Sequence, residues 1–150
     1  MEKELPTRGQ LERQISQNLR SLYRQQFGHL PSKIVCHLFD DKLAIIGENA
    51  TTNIEQMLLG NSQLDLARST RLAINEVFTT KVKQEIVAIL KVEVKDLIID
   101  SVLDSGYIGI VVFLEDRPKM RKAKRNIRQH RQPIVKKAKE NNSNSVDFLA

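Results

Sequence analysis

The sequence predicts an α+β fold: a small antiparallel sheet of two β-hairpins, packed with an N-terminal amphipathic helix and a long central helix, plus a basic flexible tail. Three observations predict it. Apolar residues recur at helical spacing in two long stretches, residues 8–27 and 63–90. Two pairs of short apolar runs are joined by turn residues, Asp40-Asp41 and Asp104-Ser105-Gly106. After Asp116 the composition changes abruptly to a run of cations. Helices laid against one small sheet are the economical way to bury these patterns.

Thr7 and Gln10 form a capping box that opens the first helix. Leu11, Ile15, Leu19, Leu22 and Phe27, with Tyr23 beside them, make its apolar face, and Arg13, Gln14, Gln17 and Arg20 fill the other. Gly28 suits a left-handed end residue, and Pro31 stops the helix. Lys33–Phe39 and Leu43–Gly47 flank Asp40-Asp41 as a hairpin. Thr52 and Glu55 repeat the capping box and open a short helix through Ile54, Met57 and Leu58, which Gly60 ends.

From Ser62 the apolar stripe runs through Leu66, Thr70, Ala73, Val77, Val82, Ile86 and Ile89, with Ile74 and Phe78 at its margin. The five-residue step from Val77 to Val82, beside the weak helix formers Thr79-Thr80, predicts a bend or break. Gln63–Leu90 is therefore one long helix or two in tandem. Val92–Leu103 reads as a strand whose phase shifts near Lys95-Asp96, the mark of a bulge. In Tyr107–Leu114, Ile108, Ile110, Val112 and Leu114 point one way while Tyr107, Val111 and Phe113 point the other. Apolar side chains on both faces predict a central strand covered twice, the second cover being a helix or another subunit.

Charge divides the chain. Residues 1–116 hold 13 Lys/Arg and 16 Asp/Glu, a net of −3, and form the predicted domain. Residues 117–150 hold 11 Lys/Arg and 2 Asp/Glu, a net of +9, and form a tail predicted to be disordered or partly helical. Lys119, Arg121, Lys122, Lys124, Arg125, Arg128, Arg131, Lys136 and Lys137 would attract a polyanion, either nucleic acid or an anionic membrane surface, with affinity falling in salt. The aromatic platforms of single-strand binders are missing. The first residues lack the basic and apolar regions of a secretory signal, and the longest nearly apolar run, Ile108–Leu114, falls far short of the roughly 20 residues that cross a bilayer. A cytoplasmic protein is expected, and the single cysteine, Cys36, excludes an internal disulfide.

Catalytic chemistry is not legible. Cys36 and His37 are neighbours in a strand and point to opposite faces. No metal-binding spacing, phosphate-cradling loop or nucleophile elbow occurs, so no cofactor or metal is expected. Asp96, Asp100 and Asp104 recur every fourth residue on one face of a predicted strand, a row that a solvated sheet edge explains. Arg68 and Arg71, three apart on the long helix, form a possible anion-binding pair. An enzyme would need a pocket that gathers them with Asp100.

Arg8-Gly-Gln-Leu-Glu opens the first helix, Gly28-His-Leu-Pro31 precedes the first strand, and Thr52-Asn-Ile-Glu55-Gln-Met-Leu58 follows as Thr-x-x-Glu-x-x-Leu. With Arg68-Ser-Thr-Arg71, Asp100 and Val111-Val-Phe-Leu114, their order resembles the MpsC-like family over approximately Thr7–Asp116. Two positions depart from the pattern: Leu90-Lys91-Val92 stands where a glycine commonly follows the long helix, and Leu30 replaces a glycine before Pro31. The resemblance implies a cytosolic accessory role beside a sodium-translocating, membrane-potential-generating system linked to inorganic carbon uptake. The expected protein is thus a non-enzymatic accessory or regulatory homodimer, cytoplasmic or peripheral to the membrane, acting on a transport component. The alternative is a nucleic-acid or anionic-surface binder working through the tail, which lies outside the resemblance.

Overall fold

The structure, a computed structural model, describes residues 4–122. Seven elements follow one another: α1 (Arg8–Phe27), β1 (Lys33–Phe39), β2 (Lys42–Glu48), α2 (Asn53–Gly60), α3 (Leu64–Leu90), β3 (Val94–Val102) and β4 (Tyr107–Leu114). The two hairpins join through β2 and β4 into one antiparallel sheet of order β1-β2-β4-β3. This is the α+β arrangement the periodicities predict.

Local chemistry sets the element ends. Thr7 Oγ1 accepts from the Gln10 N–H at 3.2 Å while Gln10 Oε1 accepts from the Thr7 N–H at 2.9 Å, so two otherwise orphaned donors are satisfied. Gly28 closes α1 at φ 66°, its N–H bonded to the Arg24 carbonyl. Asp40, at φ 55°, turns β1 into β2 between the paired Phe39 and Lys42. The register of β3 against β4 shifts between Val94 and Asp96, where the sequence predicts a bulge.

α1 and α3 pack on one face of the sheet. Their buried rows, Leu11-Ile15-Leu19-Tyr23 and Phe78-Val82-Ile86-Leu90, meet the inward residues of β1, β2 and β4. Each fully buried aliphatic side chain contributes about 1.5–3 kcal/mol. Tyr23 meets Phe27 and Phe78 edge to face, with ring centroids 4.8 and 5.1 Å apart.

One expectation needs correction, the buried face of α3. α3 is one long helix, the first of the two readings, but its buried row before Phe78 is Ala67, Arg71 and Asn75. Leu66 and Val77, expected inside, are about half exposed. With Arg71 and Asn75 facing inward the row steps by three or four residues throughout, and the five-residue gap disappears. In α2 the buried residue is Glu55, while Ile54 and Met57 face solvent. β4 is central, as expected. Among the described residues no helix lies over the outward face, where Tyr107 is 50% and Val111 37% exposed.

Candidate functional site

The most enclosed polar group in the described chain is an ion pair between helices. Thr52 caps α2, and Glu55, three residues on, folds back so that Oε1 accepts from the Thr52 N–H at 3.0 Å and from its hydroxyl at 2.8 Å. Arg71, one turn past Ala67 on α3, donates through Nε to Glu55 Oε2 at 2.7 Å and through Nη2 to Oε1. Nη2 also donates to the Ala50 carbonyl at 3.0 Å, and Nη1 to the Tyr23 hydroxyl at 3.1 Å. That hydroxyl in turn donates to the Ala50 carbonyl. One guanidinium thus ties α1, α2, α3 and the β2–α2 loop together.

Its electrostatics follow from enclosure. Burial alone would pull the Arg71 pKa down, but the hydrogen bonds to Glu55 and the neighbouring Tyr23 oxygen more than reverse this, so its pKa lies above the ordinary value. Burial raises the Tyr23 phenol, against the lowering influence of Arg71. No buried side-chain polar atom is left without a partner among the described residues. The motif Thr-x-x-Glu is visible in sequence, but its partner sixteen residues on is not.

Arg68 and Arg71, the predicted anion pair, do line one cleft, of about 400 Å³, between α3 and β3, together with Asn75, Asp100, Ser101 and Asp104. The two arginines play different parts there. Arg68 is exposed, whereas Arg71 is turned into the network described above. The Asp96-Asp100-Asp104 row also divides: Asp96 and Asp100 lie on β3 and accept from the next backbone N–H at 3.0 and 2.7 Å, while Asp104 lies in the turn. Cys36 is buried and its thiol is pushed up to about 12, chiefly by desolvation and then by the Glu12 charge. His37, next to it, is exposed. Among the described residues no three His, Cys, Asp or Glu side chains come together as a metal cluster, and no helix is long and apolar enough to cross a membrane.

Among the described residues the outward face of the sheet has no cover. Val35 on β1, Ala44 and Ile46 on β2, Ile98 and Val102 on β3, and Val111 on β4 form its centre, Ile46 being 52% and Ile98 59% exposed. Cross-strand pairing sets the rows: Val35, Ile46, Gly109 and Asp100 form one, and His37, Ala44, Val111 and Ile98 the next.

Of the predicted cationic residues, Lys119, Arg121 and Lys122 are described; Lys124, Arg125, Arg128, Arg131, Lys136 and Lys137 lie outside the described residues. The segment doubles back on the domain. Met120 packs against the core, and Arg121 bridges to Thr7 through its N–H to the Pro6 carbonyl and its Nε to the Leu5 carbonyl, both 2.9 Å. Lys119 and Lys122 are exposed.

A family model described as Na+-translocating membrane potential-generating system (MpsC) matches residues 7–116, the span that holds all seven elements. No curated protein matches the chain, and no solved structure does.

Proposed function

The chain belongs to the MpsC family, and from that membership we propose that it is a non-enzymatic accessory component of a sodium-dependent membrane system, working as a homodimer beside a membrane transport partner. The family match across the whole domain carries this reading. Two features of the molecule support it. The buried charged groups Arg71 and Glu55 are closed on each other, and among the described residues the outward sheet face is left open with an apolar centre. A link to inorganic carbon uptake belongs to the same proposal.

The cationic segment would give such a component its orientation. Residues 117–150 carry a net charge of +9 against −3 for the rest of the chain. Each Lys or Arg held near anionic headgroups contributes about 1 kcal/mol, and the attraction is screened by salt. Deleting the chain's gene and measuring the sodium-dependent potential of membrane vesicles tests the reading. A reduced potential, restored by the full chain and poorly by residues 1–116, is expected. An unchanged potential overturns it.

The charge block also favours a second reading, nucleic-acid binding through the same residues. Filter binding of duplex DNA and RNA by the full chain and by residues 1–116, at two salt concentrations, separates the two. Tail-dependent, salt-sensitive retention supports the second reading, and equal retention without the tail rejects it.

A further inference from the structure

We propose that the outward face of the sheet is the homodimer interface, closed by a two-fold axis that runs parallel to the strands between β2 and β4. The inference specifies the homodimer of the preceding reading and rests on that part of it. Its starting point is Gly109. This residue lies in the middle of the central strand, where glycine is a poor strand former, and its backbone needs no glycine: a Cβ built there meets nothing within 4 Å, and φ is outside the left-handed region. The described residues of its own chain therefore give no reason for it. One role of a strand glycine is to admit the close approach of another body.

The row that contains Gly109 identifies that body. Ile46 stands directly opposite it on β2, half exposed and projecting outward. An axis between β2 and β4 exchanges those two strands. It lays each Ile46 over the Gly109 of the other copy, and each Ala44 over the other copy's Val111, in the adjacent row. A large side chain then faces an absent one, twice, as sheets packed about 10 Å apart require of facing residues.

Charge selects the same axis. The outward positions of β1 and β2 carry Lys33 and Lys42 against Glu48, with His37 among them. The outward positions of β3 and β4 carry Asp96 and Asp100, with one base, Lys95, exposed at the bulge beside Asp96. Exchanging β2 with β4 puts the basic half of each copy over the acidic half of the other. An axis perpendicular to the strands would stack like on like. Four strands and about eight residues give a face of roughly 20 by 25 Å, hence about 500 Å² from each copy. The total of about 1,000 Å² is at the lower limit for a specific interface.

Gly109→Val separates this proposal from misfolding, since the described residues leave open space at that position and Val is the better strand residue. Sedimentation equilibrium of the full chain is expected to give a reversible dimer for the wild type. Gly109→Val should weaken it by tenfold or more without lowering the Tm measured well below the dimerisation concentration. A chain carrying Asp96→Lys and Asp100→Lys, and one carrying Lys33→Asp and Lys42→Asp, should each dimerise poorly alone and pair when mixed. A wild-type monomer at high micromolar concentration overturns both the homodimer and this interface. A Gly109→Val dimer of undiminished strength leaves the homodimer standing and overturns the sheet face as its seat, as does failure of the charge-reversed chains to pair.

Discussion

Arg71 and Glu55 meet side by side between α3 and α2, Nε to Oε2 at 2.7 Å, with their side chains 6% and 0% exposed. Two charges so enclosed are held by each other. Removing one leaves the other buried without compensation, a loss of about 3–5 kcal/mol. Glu55→Gln, which keeps shape and removes charge, should therefore destabilise the domain by about that amount in urea unfolding, and Arg71→Met by a similar amount. Replacing both by methionine should be far less damaging than the two single losses added together. Single losses below about 1 kcal/mol would show that water reaches the pair.

This pair also marks where the sequence stops being legible. Where apolar side chains face the core, periodicity found them: α1, both hairpins and the inward row of β4 lie where the pattern puts them. In the first half of α3 the inward residues are Ala67, Arg71 and Asn75, and the apolar Leu66 and Val77 face out. A hydrophobic stripe cannot reveal a buried face whose members are polar, because their partners come from other elements. α2 stands where its capping box puts it, but its single buried residue, Glu55, is invisible to an apolar pattern for the same reason. Its capping box is legible because it is local. The outward apolar residues of β4 were legible too, but what covers them is not a property of one chain's pattern.

The end of α3 offers a prediction of opposite sign to the end of α1. Lys91 occupies the left-handed region at φ 59°, as Gly28 does at φ 66°. A side chain there is crowded against the backbone, and glycine is not. Lys91→Gly should stabilise the domain by about 0.5–1 kcal/mol, and Gly28→Ala should destabilise it by about 1 kcal/mol. Thermal unfolding of the two variants checks both signs. A destabilised Lys91→Gly would show that Lys91 makes a compensating contact.

Gly47 and Gly109 lie on neighbouring strands and face opposite ways. A Cβ on Gly47 would stand 2.6 Å from Ile108 Cγ2 inside the core. Gly47→Ala should thus overpack the sheet and cost about 1–3 kcal/mol. Gly109→Ala adds a methyl in open space and should raise strand propensity, for a gain of up to about 1 kcal/mol in the isolated protomer. Denaturation at concentrations well below dimerisation gives the comparison, and equal effects of the two substitutions would contradict the inward and outward assignment.

Cys36 makes the domain sensitive to alkali. Burial pushes its thiol up to about 12 from an ordinary value of 9.0, so the folded chain holds that proton where the unfolded chain releases it. Between about pH 9 and 12 the unfolded state binds fewer protons, and stability must fall as pH rises, by up to about 1.4 kcal/mol per pH unit. The Tyr23 phenol, also raised by burial, adds to the slope above pH 10. Cys36→Ala loses core packing at every pH but should flatten the alkaline slope, most clearly between pH 9 and 10, before tyrosine contributes. Urea unfolding at half-unit intervals reads this directly. A wild-type slope that survives Cys36→Ala unchanged would place the alkaline sensitivity elsewhere. The same enclosure predicts that a thiol reagent at pH 8 modifies Cys36 only as fast as the domain opens, with urea accelerating the reaction in proportion to the unfolded fraction.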